Sequence, residues 1–506
     1  MEQAQACDHA HDLLAAIDLY ESILVKEPTH HQAREALARL LIEVSDYTRA
    51  AMVCEAGVNL APTAGVLAAL SQIHQAYFQV REAIRYAQQA IELDIGCGHS
   101  WYALVTALGL GGDEQAADDA IVDGLMVCTA HPELLAEAAT RPTVRPRAQV
   151  QRLLELTEQF PENRACRLAL AIAYATVGEH LLAKENRELV LSQNPQSHSS
   201  QAICGMYAML SSQWTLAQEY VDQARSLWPD SFYALFTQFR LHMHFAQLGE
   251  AREVLDHASD LSQGTSLHAT FISQMVELLD GPEPAYELLV GYLQEWPMAV
   301  GLRAALGDLL RNVGEIEAAL VCVQGGRQVS PERYDLLQAE ARLLFDLGRT
   351  EPAETLANQL EESAEKDLLL VRIEAGRLTD SNAIEALYKA HLGRYPRLDF
   401  AWGLLFRNAV ETGRAEELET LLAPPFHVPA MVGHCARAYV MTLADDNAGA
   451  IIEIEALLAA EQAAVHWIWA WEFALEAVAS PDLSAYRTQV MAAASTDGYL
   501  PPEGSP

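Results

Sequence analysis

The sequence predicts an all-α fold, an α-solenoid of about thirteen helical hairpins with a helical cap at its C-terminal end. Three observations predict it. Proline recurs at a step of 34 residues, small residues recur seven apart between these prolines, and residues that favour sheets are scarce, with aromatics at 7% of the 506 residues. A chain several times the size of a typical domain fits a repeat array better than a single core.

The 34-residue period defines the repeating unit. The prolines that carry it, at steps of 34 or 68 residues, are Pro28 and Pro62, then Pro161, Pro195, Pro229, Pro297 and Pro331. Between them two helical patterns are joined by a short turn, which Gly178 marks in one unit, and Pro195 ends the second helix there. Each period therefore predicts one helical hairpin.

Small residues indicate how the two helices pack. Second helices carry alanine pairs seven residues apart, at Ala83 and Ala90, Ala217 and Ala224, Ala251 and Ala258, and Ala383 and Ala390. Seven residues are about two helical turns, so both alanines of a pair face the same neighbour and allow close approach. First helices carry an apolar stripe with a small residue inside it, such as Leu306, Gly307 and Leu310. The pattern predicts interlocking faces.

At these positions the chain resembles the tetratricopeptide repeat family, whose 34-residue unit has conserved large and small positions in both helices. The matching residues are Trp101 and Leu104 in a first helix, Gly178, Gly314 and Gly348 in the turn, and Ala16, Tyr20 and Pro28 at the end of a unit. The resemblance covers most of the chain. It implies a right-handed superhelix whose first helices line a concave groove, and it implies function only in general terms.

Two proline-containing segments divide the predicted array. Pro142 and Pro146 cannot both lie inside one regular helix, so they predict an irregular junction at 130–161. This junction separates an N-terminal array at 1–129 from a central array at 162–424. A second break at 423–431 precedes a degenerate repeat and capping helices at 425–494, and residues 495–506 predict a disordered tail.

Charge and cysteine usage limit the partners. The chain has 33 Lys and Arg against 69 Asp and Glu, a net charge of −36, which argues against nucleic-acid binding and against anionic membrane surfaces. No run of 18 apolar residues predicts a membrane span, and the N-terminus lacks the pattern of a secretory signal. We therefore expect a cytoplasmic protein, with a protein or peptide partner. The oligomeric state is left open.

Catalytic and metal-binding patterns are missing from the sequence. It contains no GxxxxGK[ST] loop, no HExxH pair and no GxSxG turn. Cys7 and His11 would supply only two ligands, and His242 and His244 point apart on a helix. We expect neither enzyme activity nor a cofactor or bound metal.

The resemblance places a partner-binding surface at positions 2, 5, 9 and 12 of the first helices. These positions carry a predicted arginine ladder, at Arg240, Arg311, Arg342, Arg372 and Arg407. Arginine binds carboxylates through two parallel hydrogen bonds, so a row of arginines would suit an acidic or C-terminal peptide. The alternative is that these side chains pair with neighbouring acids such as Asp308, because 29 of the 33 basic residues are arginine anyway.

Apolar side chains precede the arginines in the same predicted groove. They are Met206, Met209, Tyr233, Phe236 and Met243, which suit either a hydrophobic peptide or the core. The family's carboxylate clamp, with Lys and Asn at positions 5 and 9, is not matched. Those positions carry Glu35 and Arg39 in one repeat and Leu168 and Ile172 in another.

An aromatic segment near the C-terminus offers a second candidate surface. It contains Trp467, Trp469, Trp471 and Phe473, as i,i+4 pairs on two faces of one helix. The pattern fits a terminal cap or a secondary docking patch.

The sequence thus favours a non-enzymatic scaffold or adaptor that binds a protein or extended peptide in the concave groove. The alternative is a regulatory or chaperone-like subunit of a multi-protein enzyme complex, docking through the outer face or the Trp-rich helix.

Overall fold

The computed structural model describes residues 1–9, 12–210, 213–245, 247–261, 265–394, 403–405, 407–409, 412, 430–459 and 470–496. Within these ranges the regular secondary structure is entirely helical and forms thirteen hairpins followed by a cap. None of the described helices is long and apolar enough to cross a lipid bilayer.

Twelve consecutive hairpins each pair an odd-numbered first helix with an even-numbered second helix. The first six hairpins comprise α1 (Glu2–His9), α2 (Leu13–Lys26), α3 (His31–Glu43), α4 (Tyr47–Leu60), α5 (Ala64–Ala76), α6 (Val80–Leu93), α7 (Gly98–Gly111), α8 (Glu114–Val127), α9 (Pro132–Thr140), α10 (Pro146–Gln159), α11 (Arg164–Thr176) and α12 (His180–Gln193). The next six comprise α13 (His198–Leu210), α14 (Trp214–Leu227), α15 (Phe232–His244), α16 (Leu248–Leu261), α17 (Ser266–Asp280), α18 (Pro282–Glu295), α19 (Val300–Asn312), α20 (Ile316–Val329), α21 (Tyr334–Asp346), α22 (Thr350–Ala357), α23 (Ala364–Ala375) and α24 (Ser381–Arg394).

Local sequence determines where these helices begin and end. Thr63 and Asn163 are N-caps, whose side-chain oxygens accept a hydrogen bond from the backbone N–H three residues on. Several turns inside hairpins contain a left-handed residue, which Gly314 provides in one of them at φ 86°. Ser45 and Phe78 adopt the same conformation without being glycine, at φ 64° and 59°. Both of these residues also make long-range contacts.

Helix packing follows the predicted small residues in most hairpins. Leu306, Gly307 and Leu310 are buried, and a Cβ on Gly307 would lie only 2.9 Å from Val323 of the partner helix. The fully buried alanines at the predicted spacing are Ala83, Ala90, Ala217, Ala224, Ala251 and Ala258. The prediction is wrong for α24, where Ala390 is exposed and the larger Tyr388 and His391 are buried instead.

The curvature of the array puts the first helices on the inside. Consecutive first helices pack directly against each other along most of the array, as α5 does with α7 and α13 with α15. Consecutive second helices do not approach comparably closely within the described chain. A stack whose inner layer is narrower than its outer layer must bend, so the first helices form the concave surface.

The predicted irregular junction is itself a hairpin. Pro142 lies in the connection between α9 and α10, and Pro146 occupies the first position of α10, where its missing N–H needs no partner. Because α9 packs against α7, α8 and α11, the array continues through 130–161 rather than dividing there. The prolines shorten one first helix to nine residues.

Successive turns of the superhelix, here called gyres, touch edge to edge. The N–H of His198 donates to Ser45 Oγ at 3.1 Å across 153 residues, and Tyr47 Oη lies 2.9 Å from His198 Nε2. Trp228 packs edge-on against Tyr47 at 4.8 Å. Phe78 contacts Phe232 of α15, five hairpins further along. Turns of the early hairpins therefore support the loops of later ones.

The C-terminal part forms one more hairpin and a cap. The hairpin is α25 (Ala430–Leu443) with α26 (Asn447–Ala459), and the cap is α27 (Ala470–Val478), a 3-10 helix (Pro481–Tyr486) and α28 (Arg487–Thr496). Trp471 and Phe473 are 1% and 3% exposed, respectively, as α27 packs against α25. Most of the second proline-containing break, at 423–429, and most of the predicted tail, at 497–506, lie outside the described residues.

Candidate protein-interaction surface

The concave surface is deep enough to alter the ionisation of groups on it. Asp308 of α19 keeps solvent access, yet the surrounding protein displaces enough water to raise the pKa of its carboxyl. Arg342 and Arg311 oppose this shift through their positive charges. Electrostatic contacts made by a ligand on this surface should therefore be stronger than those on an open face.

Two arginines of the predicted ladder meet at one carboxylate, and a third lies on the helix between them. Arg311 of α19 donates from Nε to Asp346 Oδ2 at 3.0 Å. Arg372 of α23 places a guanidinium nitrogen 3.6 Å from Asp346 Oδ1, and its guanidinium lies over the Phe345 ring at 4.5 Å. Asp346 thus links three consecutive first helices, and it fixes the orientation of two of the arginines.

Arg342 lies on the middle helix of this cluster and lacks such a partner. It is half-buried, and in the part of the chain that the structure describes it forms no hydrogen bond and no ion pair. Burial, and next the positive charge of Arg311, lower the pKa of Arg342, while Asp308 and Asp346 raise it. Its guanidinium remains available to an anionic ligand.

Arg240 presents a similar guanidinium three hairpins earlier, on α15. It too is half-buried, and among the described residues it has neither an ion pair nor a hydrogen bond. Burial alone lowers the pKa of Arg240, so neighbouring charges contribute nothing resolvable. A guanidinium with reduced hydration and no counter-charge is unfavourable until a ligand provides one.

Arg407 does not belong to the ladder. Its guanidinium lies 4.0 Å from Glu476 and 5.8 Å from the centre of the Phe473 ring, both on α27. Phe473 itself packs against Tyr439 of α25, while the Arg407 side chain stays 43% exposed. The prediction of one continuous ladder is corrected to this extent: Arg311, Arg342 and Arg372 lie on three consecutive first helices, and Arg407 contacts the cap instead.

The aromatic docking patch is also corrected in its described half. Trp471 and Phe473 are core residues that cover the last hairpin, so neither presents a surface to a partner. Trp467 and Trp469 lie outside the described residues.

The predicted apolar stretch divides between core and surface. Met209 and Phe236 are buried, and Phe236 packs edge-on against Phe271 at 4.8 Å. They face the core because the neighbouring helices cover their side of the stripe, so neither is free to bind a peptide. Met206, Tyr233 and Met243 are half-buried on the same first helices. These three residues keep some accessible surface.

Other arginines of the inner surface are already paired. A cavity of about 430 Å³ near the gyre contact is lined by Arg39 and Arg164 among others. Arg39 pairs with Asp8 and with Glu43, and Arg164 pairs with Glu43 as well. This pairing distinguishes them from Arg240 and Arg342.

Sequence reasoning missed one polar cluster on the first helices. His99 of α7 lies close to His131 and Glu133 at the start of α9. The repeat period could have predicted this cluster. His99 and Glu133 are 34 residues apart, so they occupy equivalent positions of consecutive hairpins. The histidines that the sequence singled out have other contacts: His242 hydrogen-bonds Gln247 and His244 stacks on Trp214. His11 lies outside the described residues.

The 34-residue hairpins, the left-handed turn residues and the inner layer of first helices make the chain a tetratricopeptide-like repeat solenoid. No family model and no curated protein matches the sequence.

Two solved structures, among others, align with most of this chain. The crystal structure of the APC/C hetero-tetramer Cut9-Hcn1 aligns with 14% identity and a TM-score of 0.39, covering 80% of this chain and 88% of that chain. The crystal structure of yeast Tom70 aligns with 12% identity and a TM-score of 0.37, covering 74% of this chain and 94% of that chain.

Proposed function

We propose that the protein is a non-enzymatic scaffold or adaptor that binds an acidic, extended protein segment along its concave surface. The observation that carries the proposal is Arg342, a half-buried guanidinium without a partner of its own, between Arg311 and Arg372. The chain has 69 acidic residues, yet none of those that the structure describes forms an ion pair with Arg342. A carboxylate of the ligand is the group that this arginine fits best.

The energetics favour an extended ligand over a compact one. Arg240 and Arg342 lie three hairpins apart, so one segment would have to run along the inner surface to reach both. On the same helix as Arg240, Tyr233 and Met243 offer apolar area to side chains of the ligand. Because the gyre contacts hold the surface in place before binding, the ordering cost falls mainly on the ligand.

Affinity capture from a native cell extract tests the proposal, with captured proteins quantified by mass spectrometry. Arg342→Ala should weaken binding of the specific partner about ten- to a hundredfold, since a charge-assisted hydrogen bond contributes about 1.5–3 kcal/mol. The matched control is Arg377→Ala, which removes an exposed arginine that pairs with Glu354. Combining Arg240→Ala with Arg342→Ala should abolish capture.

Retention of every captured protein by the folded double variant would contradict the groove proposal. The captured partner is then retested with synthetic segments, and an acidic segment should compete while a sequence with its acids changed to amides should not. Equal competition by both segments would likewise contradict the role given to the arginines.

Docking through the outer face is the second candidate function, as a subunit of a multi-protein enzyme complex. It is favoured by large apolar side chains that are exposed on second helices, among them Met126 of α8 and Leu181 of α12, each 69% exposed. Leu181→Glu would disrupt this mode and leave the concave surface unchanged. A partner lost by Leu181→Glu but kept by Arg342→Ala would establish it.

The cytoplasm is the compartment in which we place this scaffold. All eight cysteines are free, which suits a reducing environment. With a net charge of −36, we expect protein rather than nucleic-acid partners.

A further inference from the structure

We propose that His99, His131 and Glu133 form a zinc-binding site on the first helices α7 and α9. One potential ligand atom from each residue lies within 4.8 Å of the other two. His99 stands in the first turn of α7, His131 is the N-cap of α9, and Glu133 follows in the first turn of α9. The repeat brings the two helix starts side by side, so the cluster follows from the fold.

Two atoms of this cluster lack a partner. His131 Nε2 and Glu133 Oε2 are buried, and neither makes a hydrogen bond within the described chain. The other ring nitrogen, His131 Nδ1, lies 3.4 Å from Glu133 Oε2 and accepts from the N–H of Leu134, also at 3.4 Å. Buried polar atoms without partners are unfavourable. Metal binding requires the His131 proton on Nδ1, where it faces Glu133 Oε2 in place of the Leu134 N–H, and this frees the Nε2 lone pair for a cation beside the carboxylate.

A supporting residue fixes the carboxylate. Asn163, the N-cap of the next first helix, donates from Nδ2 to Glu133 Oε1 at 2.8 Å. This bond occupies one carboxylate oxygen and leaves Oε2 on the side of the histidines. Hydrogen bonds of this kind orient metal ligands in known sites and contribute to their affinity.

The surroundings suit a cation. The negative charges of Glu133, Glu35 and Glu43 act on His99, against the positive charge of Arg39. His99 also remains exposed, which gives an ion a path of entry.

The ligand set points to zinc rather than to magnesium or calcium. Two imidazole nitrogens and one carboxylate oxygen match three-ligand zinc sites, whereas Mg²⁺ and Ca²⁺ prefer oxygen alone. Tetrahedral zinc with bonds near 2.0–2.1 Å places its ligand atoms roughly 3.3 Å apart, so side-chain rotation would close the cluster. Water would fill the remaining position.

Cobalt titration of the full-length, chelator-treated protein tests the site, because tetrahedral Co²⁺ absorbs in the visible range while Zn²⁺ is silent. We expect one Co²⁺ per chain and its displacement by Zn²⁺. His99→Ala and Glu133→Gln should each weaken binding about tenfold or more. His131→Asn provides a third variant, since asparagine keeps the helix cap while removing the ring.

The control is His257→Ala, which removes a histidine that lies beside a carboxylate elsewhere, 3.1 Å from Asp230. It should bind Co²⁺ as the wild type does, and metal should raise the thermal midpoint of both proteins but not of His99→Ala. Equal binding by His99→Ala and the wild type would overturn the proposal. A near-ultraviolet thiolate charge-transfer band would also overturn it, by assigning the metal to cysteines, as would no saturable spectrum.

Discussion

Acid should weaken the gyre contact through one buried histidine. His268 of α17 is 3% exposed and stacks on Phe232 with ring centres 3.8 Å apart. Phe78, from the turn after α5, meets the same ring edge-on at 4.6 Å. The Nδ1 atom of His268 has no hydrogen-bond partner among the described residues. Burial lowers the pKa of His268 to about 3, because a charged ring would be desolvated between two phenylalanines.

The direction in which stability changes with pH follows from proton binding. The ordinary pKa of histidine is about 6.5, so between pH 6.5 and pH 3 the unfolded chain holds a proton at this residue that the folded chain does not. The stability that the neutral ring contributes is therefore complete above about pH 6.5 and is lost progressively as the pH falls toward 3. Between pH 7 and pH 5 this single group should reduce the free energy of unfolding by about 2 kcal/mol.

Urea unfolding at pH 7 and pH 5 measures this loss in the wild type and in His268→Phe. Phenylalanine keeps an aromatic ring between Phe232 and Phe78 but cannot titrate, so its loss between the two pH values should be smaller by about 2 kcal/mol. Other histidines with lowered pKa, such as His198, are present in both proteins and cancel in the difference. His257→Gln, which changes a half-exposed histidine beside Asp230, is the control.

The same pH dependence in His268→Phe and in the wild type would refute the reasoning. So would an NMR titration in which the His268 ring protonates near pH 6.5 in the folded protein, because burial would then have no effect on its pKa.

Three further predictions concern the contacts, the helices and the ligand. Trp228→Ala should reduce the free energy of unfolding by about 3 kcal/mol and enlarge the radius of gyration in X-ray scattering, because Trp228 contacts Tyr47 and Tyr77 of the preceding gyre. Gly291→Ala, in an exposed part of α18 with open space around it, should stabilise the protein by about 0.5–1 kcal/mol in the same urea assay. Stopped-flow binding of an acidic partner should show association that becomes faster as salt is added, whereas slower association would indicate a positively charged ligand.

The hairpins could be predicted because each depends on residues that are close in sequence. Gly314 supports a left-handed turn, and Leu306, Gly307 and Leu310 lie on one face whatever the rest of the array does. The gyre contacts could not be predicted in this way, because they join residues that are far apart in sequence. Ser45 and His198 are 153 residues apart, and their meeting depends on small rotations that accumulate over five hairpins.

The errors in the predicted site share one cause. An i,i+4 spacing places Trp469 and Phe473 on one helix face, but it does not say whether another helix covers that face. For Phe473 the covering helix is α25. Arg407 lies beside Phe473 and Glu476 of the cap, a contact that the repeat register does not predict. The wrong prediction that Ala383 and Ala390 pack against the partner helix has a similar cause. In α24 the buried face carries Tyr388 and His391, and Ala390 is exposed.

Pairing separates the arginines that hold the fold from those that can serve a ligand. Arg311 and Arg372 share Asp346, so their charge is partly neutralised within the protein. Arg342 and Arg240 form no ion pair among the described residues, and Asp308 and Asp346 act on Arg342 only without contact. The chain as a whole carries a charge of −36. An acidic segment is therefore repelled at long range and attracted only on reaching the concave surface. In the proposed mode of binding, this opposition would disfavour acidic chains that do not fit, and specificity would arise from the few positions where a carboxylate meets a guanidinium without an ion pair.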